Sequence, residues 1–176
     1  IKFESSTSSG QELWNSLTDS YTMVNITIDG ILVDSVGVRR KGFTSNASSQ
    51  RPLKIDINRF VSSKKFDGLI KFNLHNNYKD DFLQRERLAY ELYRRAGLPS
   101  PRTSYAEVYF EDIFVGLYSV VEQIDKTFLK HNFPSNNGSL IKAEPPGFVP
   151  GIMLEVKEGT MDEFNRFRNN VNANNL

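Results

Sequence analysis

The sequence predicts an α+β chain, in which a β-rich part with one long helix precedes a sparse helical tail. Three observations predict this class: apolar residues that alternate around two short turns, one long amphipathic stretch, and a final stretch with apolar residues at helical spacing. With 176 residues, the chain is long enough for an ordinary domain with a sizeable core.

Strands are predicted mainly in the first half of the chain. Residues 22–28 and 31–40 alternate in polarity around Asp29-Gly30, a dipeptide that favours a tight β-hairpin turn. A polar loop follows at residues 41–50. The other predicted strands are the short segments 53–57 and 69–74 and a second hairpin, 103–110 with 113–121, around Glu111-Asp112.

The longest predicted helix covers residues 82–96. Asp81 fits its N-cap position, with Gln84 three residues later, and Gly97 ends it. Shorter helices are predicted at residues 11–17 and 125–131, and a last one begins at Thr160 and ends in an Asn-rich tail.

Two charged residues fall on the apolar side of the long helix. On a helical wheel, Arg85 and Glu86 lie inside the arc formed by the apolar residues Phe82, Ala89, Leu92, Tyr93 and Ala96. A charged side chain that faces a core needs a partner, because an unpaired buried ion costs several kcal/mol. Two interpretations stay open. Either Arg85 reaches the helix edge and Glu86 forms a structural ion pair, or one or both of them face a ligand cleft lined by Arg51 and Lys54.

Composition and missing motifs exclude several classes of protein. The 22 Lys and Arg against 21 Asp and Glu leave a net charge of +1, which argues against a strongly basic nucleic-acid binder. The chain has no Cys, so it has no disulfide framework and no thiolate nucleophile. No apolar run is long enough for a membrane span, and the first residues do not read as a signal peptide.

The usual phosphate-loop and metal-site patterns are also missing from the sequence. The sequence contains neither the phosphate-loop pattern G-x-x-x-x-G-K-[ST] nor the pattern G-x-G-x-x-G. The two His residues, His75 and His131, are far apart in sequence, and both are interpreted as surface or loop residues. Asp80-Asp81 is interpreted as helix capping, with metal binding as the lesser alternative. The sequence therefore predicts no catalytic residue and no metal ligand within this chain.

Three groups of segments form a pattern when they are taken in order. The first group is residues 36–45 and 51–57, the second is 66–74, 78–92 and 96–99, and the third is 108–110, 116–125, 128–129 and 137–142. In this order they resemble the CotH family, the kinase-like spore coat protein H group. The resemblance implies an atypical, reduced protein-kinase fold. Its N-lobe, of β-hairpins and the long helix, would cover residues 1–125, and residues 126–176 would form the inter-lobe connection and the start of a truncated helical C-lobe.

The resemblance also implies a binding site for ATP with Mg²⁺ or Mn²⁺. Lys41 lies in the opening motif, Arg51 or Lys54 would reach the phosphates, and Glu86 would hold that cation from the helix. Arg85 would be a second cation in the cleft. We expect the Lys54 amine to lie within about 4 Å of the Glu86 carboxylate. Adenine would meet the backbone of the connecting segment, Glu122, Gln123 and Ile124.

By resemblance, the function is transfer of phosphate from ATP to Ser or Thr of a secreted or spore coat protein. The family's catalytic Asp–Asn loop and metal-binding Asp motif follow the segment that corresponds to residues 165–176. The sequence is therefore expected to be a nucleotide-binding half that needs the remainder of its own C-lobe and is inactive alone. The alternative is a non-catalytic structural or attachment module on the same scaffold. The expected location is extracellular or in the spore coat.

Overall fold

The computed structural model of the chain describes residues 1–5, 9–42, 45, 48–135, 137–144 and 153–173. The chain divides into two compact units, Ile1–Gln123 and Ile124–Leu176. The described residues of the first unit form seven strands and two helices. The strands are β1 (Lys2–Glu4), β2 (Thr22–Ile28), β3 (Ile31–Arg40), β4 (Leu53–Asp56), β5 (Lys71–His75), β6 (Thr103–Phe110) and β7 (Ile113–Glu122), and the helices are α1 (Gly10–Ser16) and α2 (Arg85–Arg95).

The seven described strands of the first unit close into a barrel in the order β1-β2-β3-β4-β5-β7-β6. Neighbouring strands are antiparallel, except that β1 pairs with β6 in parallel and so closes the barrel. Residues Leu53 and Ile55 of β4 are fully buried and lie opposite Leu74 and Phe72 of β5. This alternation fills the barrel with an apolar core, because successive strand residues point to opposite faces.

Helix α1 packs closely against the barrel. Trp14 meets Phe110 edge-on, with 5.0 Å between the ring centroids, and Leu13 and Leu17 join the core. A Cβ atom on Gly10 would collide with the backbone oxygen of Phe110. Glycine at this position is therefore what allows the helix to approach the strand.

The predicted α+β fold, a kinase-like N-lobe with one long helix, is wrong. The structure is mostly β, with a closed seven-stranded barrel, a two-stranded sheet and short helices in its described residues. Both predicted hairpins are present as β2–β3 and β6–β7. The barrel was missed because its closure joins Phe3 to Phe110, strands far apart in sequence that no local pattern links.

The long helix is also shorter than predicted, starting at Arg85 and not at Phe82. Leu83 has a φ of 55°, a left-handed conformation that keeps the preceding residues out of the helix. The capping side chain is Asp80, whose Oδ2 accepts a hydrogen bond from the Arg85 N–H at 2.7 Å. As a result, Phe82 is 83% exposed and does not join a core.

The second unit contains, in its described residues, α3 (Lys126–Asn132), β8 (Leu140–Glu144), β9 (Met153–Glu158) and α4 (Asp162–Ala173). The antiparallel pair β8–β9 replaces part of the predicted helical lobe. Asp125 caps α3 through hydrogen bonds from the N–H groups of Thr127 and Phe128. Every helix in the described part of the chain is too short or too polar to cross a lipid bilayer.

Candidate functional site

Strand register gathers polar side chains on the outer face of the barrel. Lys54 of β4 lies opposite Asn73 of β5, and Asn73 lies opposite Val121 of β7. These residues alternate with buried core positions such as Leu74, so they share the outer face. His75, two residues after Asn73, lies on the same face next to Lys41, which follows the end of β3. The sheet therefore presents Lys41, Lys54, Asn73 and His75 together.

A chain of hydrogen bonds connects the sheet to helix α2. The Lys41 amine lies 3.0 Å from Asn73 Oδ1 and 2.8 Å from His75 Nε2. On the other side of the ring, His75 Nδ1 lies 2.7 Å from Glu86 Oε1 and 2.7 Å from Glu86 Oε2. The sheet cation and the helix acid are thus joined through one imidazole.

The donors and acceptors in this chain follow from the chemistry of its ends. A lysine ammonium only donates, so His75 Nε2 accepts from Lys41, and its Nδ1–H donates to the Glu86 carboxylate. The Tyr90 hydroxyl donates to Glu86 Oε1 at 3.4 Å. Burial, followed by the Glu86 charge and this hydrogen bond, raises the pKa of Tyr90 to about 12.

These groups line a cleft of about 370 Å³. Most of the lining residues have polar side chains, and they come from the end of β3, the end of β5, the start of α2 and the loops beside them. It consists of Lys41, Gly42, Ser45, Pro52, His75, Asn76, Asn77, Tyr78, Asp80, Arg85 and Glu86. Two cations, Lys41 and Arg85, and two acids, Asp80 and Glu86, therefore face the same space. The His75 imidazole lies between Lys41 and Glu86.

Arg85 and Asp80 occupy the side of the cleft where α2 begins. The Arg85 guanidinium donates to the Lys79 carbonyl oxygen at 2.7 Å, and its Nε lies 3.8 Å from Asp80 Oδ1. Asp80 is buried, and its Oδ1 has no hydrogen-bond partner among the described residues. The Arg85 side chain is 76% exposed, so its remaining donors are available to a ligand in the cleft.

Arg51 lies in another part of the barrel. Its guanidinium carbon is 5.6 Å from the centroid of the Trp14 ring on α1, and its carbonyl accepts from the Tyr118 hydroxyl at 3.0 Å. Burial, and then the positive charge of Arg51, lowers the pKa of Arg40. Arg51 is thus part of a cationic pair beside α1, and it is not one of the residues that line the cleft.

The predicted adenine segment has three different surroundings. Glu122 is buried and accepts from the Arg102 guanidinium at 3.0 and 3.2 Å and from the Arg102 N–H at 3.1 Å. Gln123 Oε1 accepts from Asn73 Nδ2 at 3.3 Å, which connects this segment to the outer face. Ile124 is 39% exposed and begins the second unit.

The main residue that the sequence missed is His75. Glu86, expected to hold Lys54, is bonded to His75 and Tyr90, and the cation joined to it through the imidazole is Lys41. Two features of the sequence could have indicated His75: it continues the alternation of β5 as the last residue of that strand, and the long helix carries an acid, Glu86, that needs a partner. The spacing of His75 and Lys41 in the sequence gave no sign of their contact.

Within the described ranges, no group of three His, Asp or Glu side chains is arranged to hold a metal ion. Comparison with curated proteins gave no match. A family model, that of the CotH kinase protein, matches residues 38–174 and thus includes the whole cleft. Because this match covers most of the sequence, the chain belongs to the CotH kinase family.

Proposed function

We propose that this chain binds ATP and is the nucleotide-binding part of a protein kinase that phosphorylates Ser or Thr of secreted or spore coat proteins. The observation that carries the proposal is the Lys41–His75–Glu86 chain at the edge of the cleft. Membership of the CotH kinase family supports a kinase-like protein in general. The nucleotide, the acceptor protein and its location are the proposed part.

The residues in the cleft fit the phosphate groups of ATP. Protein kinases use a strand lysine, held by a helix glutamate, to position phosphates and neutralise their charge. Here Lys41 follows a strand and Glu86 is on α2, and His75 connects them. Arg85 supplies a second cation with a planar fork of donors that suits phosphate oxygens.

The surroundings of the cleft also suit a nucleotide. A volume of about 370 Å³ falls within the common range of small-ligand sites. Lys54 shares the outer face with Lys41 and is a second candidate for a phosphate contact. The backbone of Gln123 and Ile124 is the proposed adenine contact, since Gln123 is bonded to Asn73 on that face.

The described residues do not provide a resident site for a divalent cation, because no group of three candidate ligands is present among them. In the proposed complex, Mg²⁺ or Mn²⁺ accompanies the phosphates of ATP. What this chain does is bind and orient: Lys41 and Arg85 hold phosphate oxygens, while Glu86, acting through His75, fixes the position of Lys41.

Calorimetric titration with Mg-ATP tests the proposal. Lys41→Met should weaken ATP binding about 10- to 100-fold, because it removes a charge-assisted contact to phosphate. The matched control is Lys65→Met, an exposed lysine in the loop between β4 and β5. Folding of both variants is checked by circular dichroism.

Two results would overturn the proposal. One is a folded wild-type chain that shows no saturable ATP binding. The other is equal ATP affinity in Lys41→Met and Lys65→Met. The first result would favour the alternative, a non-catalytic structural or attachment module on the same scaffold. The second would show that the Lys41–His75–Glu86 chain, which carries the proposal, does not contribute to ATP binding.

A further inference from the structure

His75 is the middle member of the chain that crosses from the barrel to α2. Its side chain is 25% exposed and has a hydrogen-bonding partner on each ring nitrogen, Lys41 on Nε2 and Glu86 on Nδ1. A residue that merely filled the space between sheet and helix would not need both bonds. The geometry is that of a group that sets the position of its neighbours.

We propose that His75 is a positioning residue whose neutral imidazole, together with Asn73, holds the Lys41 amine at the cleft and whose protonation breaks the His75–Lys41 bond. The inference rests on the proposed function, because it makes the affinity of the nucleotide site depend on pH. It assigns His75 no contact with the nucleotide. His75 acts through Lys41.

The mechanism follows from the proton count on the two partners. The Lys41 ammonium has three donors and no acceptor, so its bond requires the lone pair on Nε2. When the imidazole takes up a proton, Nε2 becomes a donor, and two donors then face each other across 2.8 Å. The Nδ1–H bond to Glu86 remains and strengthens, because both of its partners are then charged. Protonation therefore holds His75 on the helix side and repels Lys41.

The other charges in the cleft act on the protonation of the ring in opposite directions. Arg85 lines the cleft and disfavours a further positive charge, while Asp80 already accepts from the start of α2. On the strand side, the position opposite His75 is Ser119, which is uncharged. The titratable or charged groups that line the cleft with His75 are Lys41, Tyr78, Asp80, Arg85 and Glu86. Tyr90 is bonded to Glu86, and Lys54 lies opposite Asn73 on the same face of the sheet.

The composition of the chain makes the proposal testable. Histidine is the side chain that ordinarily changes charge between pH 5 and 8, and this chain has two His and no Cys. His131, on α3 of the second unit, is exposed and provides a matched control. A difference between variants at these two positions separates an effect at the cleft from a general effect of acid.

The experiment measures the Kd for Mg-ATP from pH 8.0 to 5.5 in the wild type, His75→Gln and His131→Gln. Glutamine keeps one donor and one acceptor but does not titrate in this range. The wild type and His131→Gln should lose about tenfold more affinity on acidification than His75→Gln, as expected for loss of one charge-assisted contact. The γ-phosphate of ATP also titrates in this range, but its effect is common to all three proteins.

A second measurement does not depend on the nucleotide. Long-range nitrogen–proton NMR of the imidazoles at pH 8 should show His75 with its proton on Nδ1, and Lys41→Met should relax this preference. The inference is overturned if His75 carries its proton on Nε2 in the wild type. It is also overturned if the wild type and His75→Gln have the same pH profile, or if acid tightens binding. Absence of ATP binding at every pH contradicts the proposed function instead, and the NMR result then decides the positioning role alone.

Discussion

The two faces of strands β4 and β5 are built from alternate residues of the same short segments, yet they differ in kind. The inner face carries Leu53, Ile55, Phe72 and Leu74, all buried in the barrel core. The outer face carries polar side chains, several of which have specific partners, such as Asn73 with Lys41 and Gln123. Inner residues contribute to stability through their buried area and volume. Outer residues contribute to binding through the positions of individual polar atoms.

This difference between the two faces predicts which property a substitution on each face should change. An inner residue can be replaced by another apolar side chain of similar volume with modest loss of stability. An outer residue such as His75 cannot, because its two bonds require a donor and an acceptor at fixed places. We therefore expect inner substitutions to change the free energy of unfolding and outer substitutions to change binding.

The largest expected effect is that of Leu74→Ala on stability. Leu74 is fully buried, and its truncation should lower the free energy of unfolding by about 2–5 kcal/mol, measured by urea denaturation.

Its neighbour Asn73 provides the matched variant on the outer face. Asn73→Ala should cost about 1 kcal/mol for each hydrogen bond lost and should weaken ATP binding, because Asn73 helps to hold Lys41. A larger loss of stability in Asn73→Ala than in Leu74→Ala would break the comparison of the two faces.

The pairing of strands that are adjacent in sequence was the more predictable part of the fold. Both hairpins follow from local alternation and short turns such as Asp29-Gly30. Closure of the barrel did not follow, because the pairing of Phe3 with Phe110 depends on contacts between distant parts of the chain. The start of α2 was misplaced because Asp81 and Asp80 are both plausible caps, and the left-handed backbone at Leu83 leaves no local signal.

The candidate site was predicted only in part. The helical wheel singled out Arg85 and Glu86, because two charges on an apolar arc need a reason, and both line the cleft. The partner of Glu86 could not be predicted, because the register that brings His75 beside Lys41 is a property of the assembled barrel. The roles of Lys54 and of the segment at Gln123 in nucleotide binding stay predictions.

A smaller effect is expected at Tyr90, where the network on the outer face meets the helix. The pKa of Tyr90 is raised to about 12, so the folded state keeps this proton at pH values where the unfolded chain, near 10, has lost it. The stability that this difference contributes is complete below about pH 10 and is lost as the pH rises toward about 12.

Comparison with Tyr90→Phe isolates this contribution. Between pH 9 and 12, the free energy of unfolding of the wild type should fall more than that of Tyr90→Phe, by on the order of 1 kcal/mol because partial exposure screens the ring. Burial raises the pKa of Tyr118 too, but Tyr118 is present in both proteins. Parallel stability curves would show that burial and the contact with Glu86 do not raise the pKa of Tyr90 in the folded state.

The smallest effect is expected at Arg51, which tests whether the two groups of cations have separate roles. Arg51 stacks on Trp14, and its Nη1 is buried with no hydrogen-bond partner among the described residues. Arg51→Met keeps an apolar stem, loses a cation–π contact of about 0.5–1 kcal/mol and removes the repulsion with Arg40. These changes oppose each other, so the free energy of unfolding should change by less than about 1 kcal/mol.

The ATP affinity of Arg51→Met should stay within about twofold of the wild type, a difference well below that of a lost phosphate contact. Lys54→Met, on the outer face, should instead weaken ATP binding. If Arg51→Met weakened ATP binding more than Lys54→Met, the phosphates would lie beside α1, and the assignment of nucleotide binding to the outer face of β4 and β5 would fail.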